Sequence, residues 1–298
     1  VSTPSPTVAP KGELSSWIEG ARPRTFPAAV VPVLVGTMAV RPLSISLPRA
    51  LLAGLVALAM QVGTNYANDY SDGIRGSDAQ RVGPVRLVGQ QLASPAAVRA
   101  AAIASFLVAG VAGLVLCALS NWWLLVPGVL AVAAGWLYTG GPRPYGYYGF
   151  GELFVLAFFG IFATVGSSFV QHRSIPALSW ISSIAVGLLA TALLEANNLR
   201  DLDGDAQAKK KTLAVRLGRG RAGWLFVASY LGTALCIVIA SLLRPWALLG
   251  LLGLLVSIPS CRLALSELRG RALLPMLKSA GRTQLLVGVL LALGLAIS

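Results

Sequence analysis

The chain runs in long apolar stretches broken by polar connections. Ala101–Leu119, Leu153–Val170 and Leu225–Leu243 are nearly uninterrupted. About 20 apolar residues at about 1.5 Å each match a hydrocarbon core about 30 Å thick, so each stretch predicts a membrane-spanning helix. Hydropathy along the sequence predicts nine helices, at roughly 23–40, 49–68, 98–119, 121–138, 152–170, 176–196, 222–243, 245–265 and 283–298. Pro27 and Pro32 predict a kink in the first. The fold class is therefore all-α: a polytopic membrane protein of about nine transmembrane helices.

The connections are of two kinds. Arg41–Pro48, Ser120, Gln171–Ile175 and Arg244 are short; the N-terminal segment and 69–97, 139–151, 197–221 and 266–282 are longer and charged. The longer set, with its adjoining helix ends, holds 20 of the 24 Lys and Arg. The positive-inside rule then places the long loops in the cytoplasm, the N-terminus in and the C-terminus out, and the natural location is the plasma membrane. Val1–Lys11 is rich in Pro, Ser and Thr and lacks a signal-peptide layout, so residues 1–20 are expected to be a disordered cytoplasmic tail before a single transmembrane domain over 21–298.

Composition agrees. Hydrophobic residues make up 56% and charged residues 12% of the 298 positions, and mean hydropathy is +0.74. A net charge of +13 raises nucleic acid as a partner, but no basic module stands apart from the spans. Basic loops facing an anionic leaflet explain the charge more simply, with membrane lipid as the partner. Cys117, Cys236 and Cys261 lie in apolar runs and are expected as packing residues. His172 is the only histidine and lies on the face opposite the carboxylates, which excludes a His-based triad or metal centre.

All 11 acidic residues lie in the long loops or at their helix mouths. Asp and Glu contribute little to topology, so something on that face requires carboxylates. Thr64–Asp78 reads T-N-Y-A-N-D-Y-S-D-G-I-R-G-S-D, and Glu195–Asp205 reads E-A-N-N-L-R-D-L-D-G-D. Asn68 to Asn197 and Asp72 to Asp201 share one offset of 129 residues. Each cluster follows the second helix of a four-helix group, which suggests two pseudo-repeated groups plus a ninth helix. On a continued helix, Asn and Asp four apart share one face. Carboxylates this dense repel unless a cation sits among them, and hard oxygen ligands select Mg²⁺, Mn²⁺ or Ca²⁺. Arg75, Arg81, Arg86, Arg143, Arg200 and Lys209–Lys211 stand near enough in sequence to bind phosphate oxygens. Turn and capping chemistry accounts for Asp72-Gly73 or Asp203-Gly204 singly, not for the duplication. The segment Tyr138–Glu152, dense in Gly and aromatics, is either a plain connecting loop or a lid carrying Arg143.

These residues resemble the UbiA-type intramembrane prenyltransferases along essentially the whole chain. The family has nine helices and aspartate-rich motifs after helices two and six. The two clusters, Arg81-Val-Gly-Pro-Val-Arg86, the Tyr138–Glu152 segment and K-K-T-L-A-V-R-L-G from Lys210 are similar to the branch acting on 1,4-dihydroxy-2-naphthoate. The resemblance implies transfer of a prenyl group from polyprenyl diphosphate to 1,4-dihydroxy-2-naphthoate, with loss of CO₂ and diphosphate, giving demethylmenaquinone in menaquinone biosynthesis. It implies Mg²⁺ as cofactor, held with diphosphate by Asn68, Asp72, Asn198, Asp201 and Asp205. Asp69, Asp72, Asp201 and Asp205 are the expected catalytic carboxylates; Arg75, Arg143, Lys210 and Lys211 are expected on diphosphate oxygens. Asp69 or a tyrosine is a candidate to position the acceptor hydroxyl. Two departures stand out. Gly76 occupies a position where the family often has a further Asp, so the second cluster is expected to hold more of the metal. Lys209 stands where the branch usually has Gly. Other aromatic acceptors, such as hydroxybenzoate or a haem or chlorophyll precursor, remain open. A divalent-cation transporter would need acidic residues at span centres, which the sequence lacks, and a scaffold leaves the clusters unexplained.

Overall fold

The computed structural model describes residues 13–40, 45–76 and 85–298. Val1–Lys11, Arg41, Asp78 and Arg81, each given a reading above, lie outside them. The described chain is helical, with no strand among the described residues. In chain order the helices are α1 (Glu13–Gly20), α2 (Pro27–Met38), α3 (Leu47–Ile74), α4 (Pro95–Leu119), α5 (Trp122–Leu137) and α6 (Gly151–His172). They continue as α7 (Ala177–Gln207), α8 (Leu213–Leu217), α9 (Arg219–Ser241), α10 (Pro245–Ala264) and α11 (Gly270–Ile297). Seven of these, α3, α4, α6, α7, α9, α10 and α11, are long and apolar enough to cross a membrane. The spans expected at 23–40 and 121–138 fall on the shorter apolar helices α2 and α5.

The tail drawn over 1–20 is too long. Glu13–Gly20 form α1, because Trp17 packs edge-on against Tyr66 with centroids 5.6 Å apart and its carbonyl accepts from the Tyr66 hydroxyl at 2.9 Å.

Other boundaries follow local chemistry. Ser94 caps α4 by accepting from Ala97 N at 3.2 Å, with Pro95 at the first helical position, where a missing N–H costs nothing. Helix α7 is the most enclosed of the long helices and packs on α2, α6, α9 and α11, while α3 pairs chiefly with α4. Helices α6 and α7 touch at the backbone: a Cβ on Gly160 would lie 2.5 Å from Gly187 Cα. Such small-residue contacts replace the hydrophobic driving force that lipid cannot supply.

The two polar clusters are not loops. Helix α3 runs on to Ile74 and α7 to Gln207, past the expected ends at 68 and 196. Hydropathy registers the last apolar residue, not the last helical hydrogen bond. The clusters are therefore the terminal turns of two long helices.

Candidate active site

Each cluster is positioned by the way its helix stops. Gly76, at φ +70°, takes the left-handed conformation after α3, and its N–H reaches Gly73 O at 3.1 Å. Only glycine adopts this at little cost, so the position that departs from the family pattern is the helix terminator. Helix α7 ends in a Schellman turn: Lys209 N bonds to Ala206 O at 3.1 Å and Lys210 N to Asp205 O at 2.8 Å. Lys209 carries the left-handed φ of +58° without being glycine. The turn folds Lys210 back over the end of its own helix.

There Lys210 joins the two clusters. Its Nζ lies 3.2 Å from Asp72 Oδ1 and 4.0 Å from Asp205 Oδ1, all three being buried. The same ammonium sits 4.5 Å from the centroid of the Tyr147 ring, and the Tyr147 hydroxyl donates to Asp72 Oδ1. One buried cation between two carboxylates from distant helices marks a place built for positive charge.

The Tyr138–Glu152 segment is stitched over these ends. Lys211 N bonds to Tyr147 O at 2.8 Å, Thr139 Oγ1 donates to Asn68 Oδ1 at 2.8 Å, and the Arg75 guanidinium donates to Thr139 O and Gly141 O. Tyr145 donates to Ala134 O at 2.9 Å, and burial pushes its phenol up, so it stays a protonated donor.

In the second cluster, Arg200 grips Asp201 bidentately, Nε to Oδ1 at 2.7 Å and Nη2 to Oδ2 at 2.6 Å. The remaining nitrogen, Nη1, is buried and has no hydrogen-bond partner among the described residues. Asn198 Nδ2 donates to Glu152 Oε1 at 2.8 Å. Asp203 pairs with Arg269 at 2.8 Å in an exposed bridge away from the cavity.

A cavity of about 670 Å³ lies between α2, α3, α5, α6, α7 and α11. Its charged end is lined by Asn68, Asp72, Asn198, Arg200, Asp205 and Lys210. Its flank is apolar and aromatic, including Met60, Phe154, Phe158 and Leu193. Tyr145, Phe154, Phe158 and Phe162 form a stacked row with centroids 4.0, 6.0 and 5.2 Å apart, ending on Phe162 at the outer surface.

The expected site residues thus divide. Asn68, Asp72, Asn198, Asp205 and Lys210 meet at one cavity. Asp201 does not line it; its carboxylate is held by Arg200, which does. Asp69 is fully buried outside the cavity lining and accepts from Leu87 N at 2.7 Å and Val88 N at 3.1 Å, which ties the α3–α4 connection to α3. Arg75 is exposed and serves the loop; Arg143 and Lys211 are exposed and do not line the cavity. The expected inequality of the clusters is absent from the lining, where each offers one Asp and carries cavity-facing Asn. The offset of 129 residues does not map one lining onto the other, since Asp205 rather than Asp201 faces Asp72 across Lys210.

Sequence reasoning missed Tyr147 and Thr139 as individual contacts and a polar wall of Thr25, Gln61 and Asn65. Gln61 Nε2 donates to Thr25 Oγ1 at 2.9 Å, and Asn65 Nδ2 to Ala21 O at 2.8 Å. Gln61 and Asn65 sit four apart on α3, two turns and one turn before Asn68, a spacing visible in the sequence.

The donors present are hard oxygens from two carboxylates and the amides. Among the described residues no three His, Cys, Asp or Glu form a metal-holding group. The set therefore suits a divalent cation that takes its remaining ligands from a bound phosphate, not one caged by protein alone.

The fold is that of a known class: the chain belongs to the UbiA prenyltransferase family, whose model matches residues 29–271. It is 44% identical to the 1,4-dihydroxy-2-naphthoate octaprenyltransferase of Mycobacterium tuberculosis, over 95% of this chain and 97% of that one. It is 36% identical to the Escherichia coli enzyme of the same name, over 95% and 96%. In fold it is similar to a UbiA homologue from Archaeoglobus fulgidus bound to GPP and Mg²⁺, with a TM-score of 0.64, 16% identity and coverage of 95% and 100%. The apo UbiA homologue from Aeropyrum pernix gives a TM-score of 0.67 at 16% identity, with coverage of 92% and 97%.

Proposed function

We propose that this protein transfers a polyprenyl group from polyprenyl diphosphate to 1,4-dihydroxy-2-naphthoate, with release of diphosphate and CO₂, to give the quinol form of demethylmenaquinone. The observation that carries the reading is the convergence of two helix ends, through Lys210, on a cavity charged at one end and apolar along its flank. A prenyl diphosphate has that same division. The full-length relatives of that name support the choice of acceptor over hydroxybenzoate or a haem or chlorophyll precursor.

In this reading Asp72, Asp205, Asn68 and Asn198 hold Mg²⁺ together with the diphosphate. Mg²⁺ supplies Lewis-acid stabilisation of charge on the leaving group. Lys210 lies between the two carboxylates and donates to the diphosphate as its C–O bond breaks. Asp201 fixes the Arg200 fork so that Nη1, which has no hydrogen-bond partner among the described residues, is turned to the same oxygens. Preorganised donors of this kind are the largest expected catalytic term. The flank formed by Phe154, Phe158 and Leu193 keeps water from the allylic cation until the electron-rich ring attacks and CO₂ leaves. Asp69 holds the α3–α4 connection in place. All nine apolar helices cross the plasma membrane, in two four-helix groups and a ninth. Residues 21–298 form one domain, with the site at the cytoplasmic face.

The test is Asp72→Asn, with Asp205→Asn as its counterpart. Prenyl transfer from labelled polyprenyl diphosphate to 1,4-dihydroxy-2-naphthoate should fall at least about 100-fold, while the purified protein keeps its helicity and melting behaviour. Wild-type turnover in either variant rejects the assignment.

A further inference from the structure

Glu152 has no part in the chemistry above, yet it is 8% exposed and sits directly behind the site. It opens α6, where Gly151 lets the chain approach α7 closely: a Cβ there would lie 3.3 Å from both the Leu194 side chain and the Tyr138 hydroxyl. That approach brings Glu152 Oε1 to 2.8 Å from Asn198 Nδ2. Glu195, fully buried one turn before Asn198, stands against Glu152 from the other side. None of the three positions is exposed, so their arrangement is set by packing and not by solvent.

An amide has a donor end and an acceptor end, and only the oxygen can ligate a hard cation. A carboxylate oxygen attracts the NH₂ end, so Glu152 decides which end of Asn198 is left for the cavity. Among the described residues the first cluster has no such device. Asn68 meets the Thr139 hydroxyl at 2.8 Å, and a hydroxyl can donate or accept, so it accepts either end of the amide.

We propose that Glu152 is a positioning residue for the cation site. By accepting from Asn198 Nδ2, it holds the amide with Oδ1 toward the diphosphate-bound Mg²⁺, and it touches neither substrate nor metal. The proposal rests on Asn198 being a cation ligand, as given under the proposed function. Groups that orient ligands in this way typically control metal affinity by about 10- to 100-fold.

The test compares Glu152→Gln, which keeps an acceptor oxygen, with Glu152→Ala and Glu152→Met, which do not. Two quantities are read: the Mg²⁺ concentration giving half-maximal turnover, and Mn²⁺ affinity by electron paramagnetic resonance with a non-ionising prenyl thiolodiphosphate bound. We expect Glu152→Ala and Glu152→Met to weaken both by about 10-fold or more. Glu152→Gln should stay within about threefold of wild type. In an Asn198→Asp background, where either oxygen can ligate, Glu152→Ala should add little. The alanine and methionine variants together guard against one failing to fold. The proposal is overturned if a folded Ala or Met variant binds Mn²⁺ normally, even with lowered turnover, or if Gln behaves like Ala. Asn198→Ala separates the two claims. Unchanged Mn²⁺ affinity there rejects Asn198 as a ligand, whereas weakened affinity with normal binding in Glu152→Ala rejects the positioning role alone.

Discussion

Lys209 is the residue at which local geometry and side chain disagree most plainly. It occupies the left-handed position of the Schellman turn that ends α7, at φ +58°. A non-glycine residue there costs about 1–2 kcal/mol, partly offset by the extra freedom glycine has in the unfolded chain. Its side chain is exposed, and it is Lys210, not Lys209, that reaches Asp72. Lys209→Gly should therefore stabilise the protein by about 0.5–1 kcal/mol and leave turnover within about twofold of wild type. Thermal melting in detergent and the prenyl-transfer rate check the two halves. Destabilisation would mean that the turn is held by contacts of the Lys209 side chain. In the sequence, the Gly expected before the basic pair was the one visible sign of this turn, and its replacement by Lys hid the motif. Gly76 was legible only as a missing Asp; its work as a terminator shows in its φ of +70°.

At the scale of elements, α6 carries the clearest consequence. Its middle, Leu156–Phe162, is π-helical, and the wider turn brings Phe154, Phe158 and Phe162 into one row. The row starts beside Tyr145 near the charged end and finishes on Phe162, 44% exposed at the outer surface. It gives an apolar tail a continuous aromatic track toward lipid. Phe158→Ala removes the central contact, worth about 0.5–1.5 kcal/mol. The KM for a long polyprenyl diphosphate should then rise about 2- to 10-fold, with a smaller change for a one- or two-isoprene donor that ends short of Phe158. Equal effects on both donors would remove the track. The long apolar helices themselves were legible, because span length is fixed by the bilayer. The ends of α3 and α7 were not, since polar turns that satisfy one another continue a helix without any hydropathy signal. The same limit explains the site. The sequence placed Asn68, Asp72, Asn198, Asp205 and Lys210 near one another in motif terms, but not that Arg200 claims both oxygens of Asp201 or that Leu87 and Val88 claim Asp69.

For the whole molecule, the sidedness of charge acquires a structural reason. The charged cavity mouth lies at the C-terminal ends of α3 and α7, on the side of the long basic connections. Two of the arginines on the other side are occupied. Arg49 donates to Val170 O, Gln171 O and Leu119 O at 3.0, 3.1 and 2.9 Å, closing the ends of α4 and α6. Arg244 donates to Leu295 O and Ser298 O at 3.0 and 2.7 Å, closing α11. Arginines spent on orphan helix carbonyls complement the negative end of the helix dipole and are less available to an anionic leaflet. The count of 20 in 24 predicts an orientation that puts this cavity mouth on the cytoplasmic side. A single cysteine on each side tests it, in a background where Cys117, Cys236 and Cys261 are replaced by Ala. Ser174→Cys lies in the exposed α6–α7 connection, and Arg271→Cys lies at the exposed start of α11. A membrane-impermeant maleimide added to intact cells should label Ser174→Cys. It should reach Arg271→Cys only after the membrane is breached. The opposite pattern would put the diphosphate site on the outer face and would reject the cytoplasmic placement.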